Sequence, residues 1–236
     1  MLIDLGYDDI LDDNVLTNNI SQITRLDFQV NGTNINDVSD LTGLEDFVNL
    51  TILDIRGPNT TSFTLPQTPT KLNSLSIAYC DNLNSLILNS TSLEGISIYG
   101  QTSLNTINTS NLPNLNRFYD SQISTVSGIT SLDFSNNPKM YEISIHNSTI
   151  NSLNISNCTL LNQLLAHNTP LSGVLDISNI LITADVRING TNITCLKVNA
   201  EQLAKKDEFL ASNSGGSGGT VGMWRLNNAT VSTTCP

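Results

Sequence analysis

The chain reads as a mostly-β solenoid of the α/β type. It should hold about eight coils of about 21 residues, stacked so that one strand from each joins a parallel sheet. Three observations predict this. Units of the form Leu-polar-apolar recur throughout, as in LNSLSI from Leu72, LEGISI from Leu93, ITSLDF from Ile129 and INSLNI from Ile150. They return at a fixed short period, which marks a repeat architecture. Inside each unit the apolar residues stand two apart, the strand alternation, and the three-and-four spacing of a helix is missing.

The first apolar residue of each unit serves as its marker. One series runs Leu26, Leu53, Leu75, Ile96, Phe118, Ile143, Leu164, Val186, mostly 21 or 22 residues apart. A second interleaves with it: Phe63, Leu86, Ile107, Leu132, Leu153, Leu175, Leu196. Each coil therefore has two strand-like sides. A single coil cannot bury its own leucines, whereas coils stacked about 4.8 Å apart share one core. Asn residues following many strands (Asn89, Asn136, Asn157, Asn168, Asn189) suit the corners, where their amides can bond backbone groups left free. The predicted division is a cap over 1–22, the solenoid over 23–198 and a closing segment over 199–236.

Within the opening, Leu2, Ile3 and Leu5 fit a short helical edge ending at Gly6. Asp4, Asp8, Asp9, Asp12 and Asp13 then crowd a turn. Their spacing is not that of an EF-hand loop, so a solvated cap turn is set against a calcium site. The period stretches twice. Between Leu26 and Leu53, Val38 to Phe47 reads as a short helix, and between Phe118 and Leu132 the coil bulges near Gln122 to Gly128. After Leu196, AEQLAKKDEFLA at 200–211 is rich in helix formers. SNSGGSGGT at 212–220 is a flexible loop, and Met223 to Leu226 and Ala229 to Val231 suit edge strands.

Composition narrows the function classes. The formal net charge is -11 with 10 Lys and Arg, so no basic stripe exists to bind nucleic acid. No apolar run approaches the roughly 20 residues of a membrane span, and the first residues show no secretory leader. No Cys-x-x-Cys pair suggests zinc or redox chemistry. The glycine run at 215–219 lacks the Lys-Ser/Thr of a phosphate loop. The two histidines, His146 and His167, have neither a nucleophile motif nor a third metal ligand beside them. No enzyme activity, metal or cofactor is expected.

The units resemble bacterial leucine-rich repeats, and more closely the short paired repeats of secreted flavobacterial and other Bacteroidetes proteins. ITSLDFSNNPKM at 129–140 is similar to their half-repeat, and LIDLGYD at 2–8 and the segment 35–50 are similar to their opening. Cys195-Leu-Lys-Val198, Trp224 and Cys235 fit the outline of their closing segments, although residues 199–223 are longer. The resemblance implies a surface-exposed life and a Cys195–Cys235 disulfide closing the C-terminal cap, hence an oxidising compartment. Cys80 and Cys158 lie seven half-coils apart, on the order of 15 Å or more, and are expected as free buried thiols.

The two series differ in what they show to solvent. The second offers Thr64, Asn108, Asp133, Asn154 and Asp176, a repetitive soluble face. The first offers Arg56, Tyr99, Tyr119, Ser144, His146, Leu165, His167 and Arg187, with Arg25, Arg117 and Tyr141 just ahead of their strands. Aromatic, His and Arg side chains carry interface energy. The expected ligand face is thus Arg56, Tyr99, Tyr119, Tyr141, His146, His167 and Arg187, binding a protein or glycan at a cell surface in a recognition or adhesion role. The alternative is a structural or receptor-binding protein of a virion, part of a larger assembly.

Overall fold

The computed structural model describes residues 6, 7, 9, 10, 17–28, 43–56, 61–65, 67, 70–100, 103–121, 128–212 and 222–236. It shows the expected mostly-β parallel solenoid. The first series supplies β1 (Arg25–Asp27), β2 (Ile52–Arg56), β4 (Ser74–Ala78), β6 (Gly95–Tyr99), β7 (Arg117–Ser121), β9 (Glu142–Ser144), β11 (Gln163–Leu165) and β13 (Asp185–Arg187). With β15 (Trp224–Arg225) they form one nine-stranded sheet in that order, all parallel. The register pairs marker with marker, from Leu26↔Leu53 to Leu164↔Val186, and Trp224 takes the next place after Val186. Leu53, Leu75, Ile96, Phe118, Ile143, Leu164 and Val186 are all at most 1% exposed, so the markers make one buried column.

The other side of the coil is interrupted. Its strands are β3 (Ser62–Leu65), β5 (Ser85–Leu88), β8 (Ser131–Asp133), β10 (Ser152–Asn154), β12 (Ser172–Asp176), β14 (Asn192–Lys197) and β16 (Thr230–Ser232). They fall into three separate sheets, β3–β5, β8–β10 and β12–β14–β16. The marker Ile107 is buried but lies in no strand.

Side chains hold the turns along this side, both beside paired strands and at the breaks between sheets. Asn108, Asp133, Asn154 and Asp176 each accept, through Oδ1, the backbone N–H two residues on, at 2.8–3.2 Å. Asn157, Asn179 and Asn199 donate from Nδ2 to the carbonyls of Ser135, Ser156 and Ser178 on the preceding coil. Of the corner asparagines expected from the sequence, Asn157 acts in this way, and Asn168 bonds the side chain of Asn147 instead. Asn137 is fully buried in a column otherwise apolar, and it is satisfied: Nδ2 donates to Thr109 O and Leu112 O, and Oδ1 accepts from Thr109 Oγ1.

The corner after each first-series strand has its own rule. Where the described residues include the position four past a first-series marker, the backbone is left-handed, at Tyr79, Gly100, Asn147, Asn168 and Gly190. Gly190 also faces Asn168 so closely that a Cβ would collide with it, so two constraints require glycine there.

The closing segment forms α2 (Ala200–Ala204) and α3 (Lys206–Ala211), broken at Lys205 where one helix was expected. Asn199 and Gln202 form a capping box at its start. Phe209 packs on Trp224, ring centroids 4.7 Å apart, and so covers the end of the core column. Cys195 in β14 is bonded to Cys235, Cα atoms 6.0 Å apart. Cys80 and Cys158 are buried thiols outside the disulfide, as expected. At the other end, α1 (Thr17–Ile20) buries Ile20, and Leu44–Asp46 forms a 3-10 turn within the predicted 38–47 helix. The rest of that helix, Asp4, Asp8, Asp12 and Asp13 of the acidic cluster, the bulge over 122–127 and most of the glycine loop lie outside the described residues.

Candidate functional site: the outer face of the nine-stranded sheet

Along each rung, the outward positions lie one residue before the marker, one after it and three after it. All five arginines of the chain, Arg25, Arg56, Arg117, Arg187 and Arg225, occupy these places, and the five lysines lie elsewhere. Most of the arginines are tied down. Arg25 meets Asp54 at 2.7 Å, Arg187 donates from Nε and Nη2 to the Asp185 carboxylate at 3.2 and 2.9 Å, and Arg117 lies 4.0 Å from Glu142. Arg225 donates to the carbonyls of Ser212 and Trp224.

The central rungs carry two linked groups. Tyr119 donates its hydroxyl to Glu142 Oε2 at 2.7 Å. Burial and this bond to a carboxylate push the phenol up to about 12, so it stays protonated. One rung on, Ser144 Oγ lies 2.9 Å from His146 Nδ1, and the His146 and His167 rings stack with centroids 4.8 Å apart and planes 9° from parallel. The stack is a direct result of register, because both histidines stand three residues after paired markers. Burial, then the charges of His146 and Arg187, hold the His167 pKa below its ordinary value, so its neutral form is favoured.

Tyr99, Tyr119, His146, His167 and Arg187 therefore lie on consecutive rungs from β6 to β13. Arg56 stands two rungs from Tyr99 in the same outward row. Tyr141 does not join them. It lies at the opposite lip of the sheet, two residues before its marker, where its hydroxyl accepts from Asn162. Sequence reasoning passed over Glu142 and Asp185, the acids that orient Tyr119 and Arg187. Both stand in the outward place one residue before a marker, which is the signal that could have found them. It also passed over Tyr79, exposed at the corner of β4.

Neither Ser144 nor Cys158 is a nucleophile poised for attack. Ser144 is 5% exposed, and its hydroxyl serves to orient His146. Burial, with the charge of Asp133, pushes the Cys158 thiol up to about 12, which makes it inert. Among the described residues, no group of three or more His, Cys, Asp or Glu side chains could hold a metal ion, and no helix is long and apolar enough to cross a membrane. On the second side, a groove of about 570 Å³ runs over Ile107 and Leu132 where β5 and β8 fail to pair, rimmed by Asn108, Asp133 and Asn154. Those three rim side chains are already engaged in the turns described above.

Fold and surface together define the class: a parallel β-solenoid with one continuous decorated sheet. No family model and no curated protein sequence matches the chain. A similar solved structure is the leucine-rich repeat domain of the type III effector XCV3220 (XopL). It is 18% identical, with 68% of each chain covered and a TM-score of 0.39.

Proposed function

We propose that the chain is a non-enzymatic leucine-rich-repeat recognition module. Its ligand, a protein or a glycan at a cell surface, lies across the outer face of the nine-stranded sheet, with Tyr99, Tyr119, His146 and His167 at the centre. One observation carries this reading. Aromatic and imidazole side chains occupy neighbouring rungs without a gap, on the side of the coil where the backbone pairs with itself and needs no help from side chains. Such residues dominate binding energy at interfaces. The Cys195–Cys235 disulfide supports an oxidising, extracellular setting.

The test is a protein and glycan array probed with the full chain, followed by the combined Tyr99, Tyr119, His146 and His167 to Ala variant. Affinity for the best ligand should fall at least 100-fold, with circular dichroism unchanged. Binding that survives all four substitutions would exclude this face.

A further inference from the structure

The groove on the second side carries more polar surface than its turns use. Its volume, about 570 Å³, falls within the range of roughly 300–1,000 Å³ typical of small-ligand sites. On each of its three rungs the place before the marker holds a hydroxyl, and the place after it a carboxamide or carboxylate. The pairs are Thr106 and Asn108, Ser131 and Asp133, Ser152 and Asn154, and all six side chains are exposed. Register sets Ser131 beside Ser152 and Asp133 beside Asn154. The rungs on either side break the rule. In these places β5 carries Ser85 and Ile87, and β12 carries Val174 and Asp176. Ile87 and Val174 are 51% and 47% exposed. The paired polar rows therefore end where the groove ends.

Turn bonding fixes these groups without exhausting them. Asn108 gives Oδ1 to the Ser110 N–H, and its Nδ2 has no partner among the described residues. The hydroxyls of Thr106, Ser131 and Ser152 are likewise unbonded among the described residues. Asp133 accepts from the backbone and hydroxyl of Ser135 and from Asn154 on the next rung. A carboxylate has about four acceptor places, so room remains for one more donor. A ligand would meet these side chains already oriented, and less ordering entropy would be lost on binding. Beneath them Ile107 and Leu132 supply an apolar floor.

We propose that this groove binds a neutral oligosaccharide, with sugar hydroxyls on the two polar rows and the C–H faces of the rings over Ile107 and Leu132. Hydroxyls, carboxamides and a carboxylate both give and take hydrogen bonds at close intervals, as the rim of a sugar ring requires. The rows step across rungs about 4.8 Å apart, so the ligand lies along the rod and across the strands. A peptide added as a strand would instead run parallel to β8. The lining also holds no Trp, Tyr or Arg, the residues that dominate protein interfaces. Asp133 is ionised at neutral pH and no cation lines the groove, so an acidic sugar is repelled. This site is separate from the nine-stranded sheet and does not depend on what that sheet binds.

The experiment probes the full chain with an array of neutral gluco-, manno-, galacto- and xylo-oligosaccharides, beside uronic-acid oligosaccharides and short peptides. At least one neutral oligosaccharide should bind with a Kd of about 1 mM or tighter. Ser131→Ala combined with Ser152→Ala removes two exposed, unbonded hydroxyls, and should weaken that binding at least tenfold with Tm unchanged. Asn108→Asp keeps the turn acceptor but loses the donor, and should weaken it to a similar degree. The fourfold alanine variant of the sheet face should hold the same sugar as the parent does. Retention of no neutral sugar, preference for uronic acids or peptides, or full binding by the Ser131/Ser152 and Asn108 variants would each overturn the assignment. So would loss of the sugar in the fourfold variant with the groove variants unaffected, a result that moves the sugar to the sheet face and leaves that reading standing.

Discussion

The two sides of each coil are built from the same leucine-bearing unit, yet they differ in how the backbone is satisfied. On the first side nine strands pair without a break, so the backbone is satisfied within the sheet, and the outward side chains bond chiefly to one another. On the second side pairing stops between β5 and β8 and again between β10 and β12. There the side chains of Asn108, Asp133, Asn154 and Asp176 hold the turns, and Asn157, Asn179 and Asn199 tie successive coils. The consequence is chemical. The first side can carry Tyr, His and Arg. The second keeps Asn, Asp and Ser, whose side chains bond backbone groups at its turns, beside paired strands as well as unpaired ones.

This contrast predicts that stability resides in polar residues of the second side and binding to the nine-stranded sheet in those of the first. The largest effect should come from the disulfide anchored in β14. Replacing Cys195 and Cys235 with Ser frees a loop closed across 40 residues and should cost about 3 kcal/mol in urea unfolding. Next, Asn137→Ala removes three buried bonds, although both carbonyls keep a backbone N–H and the Thr109 hydroxyl keeps Asp133 O, and should cost about 2 kcal/mol. Asp133→Ala removes a turn bond and should cost about 1 kcal/mol. On the first side, His146→Ala should stay within about 0.5 kcal/mol of the parent. Equal losses on the two sides would dissolve the distinction.

Acid titration sharpens it further. Asp133 is held below its ordinary 3.8 first by its bonds from Ser135. Asp176 is likewise lowered, although burial opposes it, by bonds from Lys197 and Ser178. Their contribution is complete above that value and lost as pH falls from it through the folded-state pKa. His167 is also lowered, from 6.5, and an imidazole takes up its proton on titration. The unfolded chain therefore binds that proton first, and stability declines once pH falls below about 6.5. Melting curves should show a small loss near pH 6, absent in His167→Asn, and a larger one below pH 4, reduced in the Asp133→Asn and Asp176→Asn double variant.

The markers made the solenoid legible because one period governs both burial and pairing. Leu26 through Val186 are the residues that align. The closing helix and the edge strands were visible in helix-forming composition and in the end of the repeat. The break at Ile107 was not visible, because its apolar alternation is that of a strand and the failure lies in the pairing of neighbours. The split of the helix at Lys205 was likewise hidden, since Lys is a good helix former. Of the proposed face, residue types could be read from the sequence, and the places of Glu142 and Asp185 before their markers were legible too, but not the bonds they make. The bond from Tyr119 to Glu142 crosses rungs and depends on register, whereas Asp185 meets Arg187 within one strand. Tyr141 shows the same limit: nearness to a strand in sequence does not say which lip of the sheet a side chain occupies.

Trp224, packed against Phe209 over the last rung, with the Cys195–Cys235 disulfide closing the same end, gives the rod a mechanical polarity. Under tension the carboxyl end should hold while coils peel away from the amino end. Each would release about 70 Å of chain, the extended length of some 21 residues. A protein of this build would yield in even steps and keep its plugged end intact to the last.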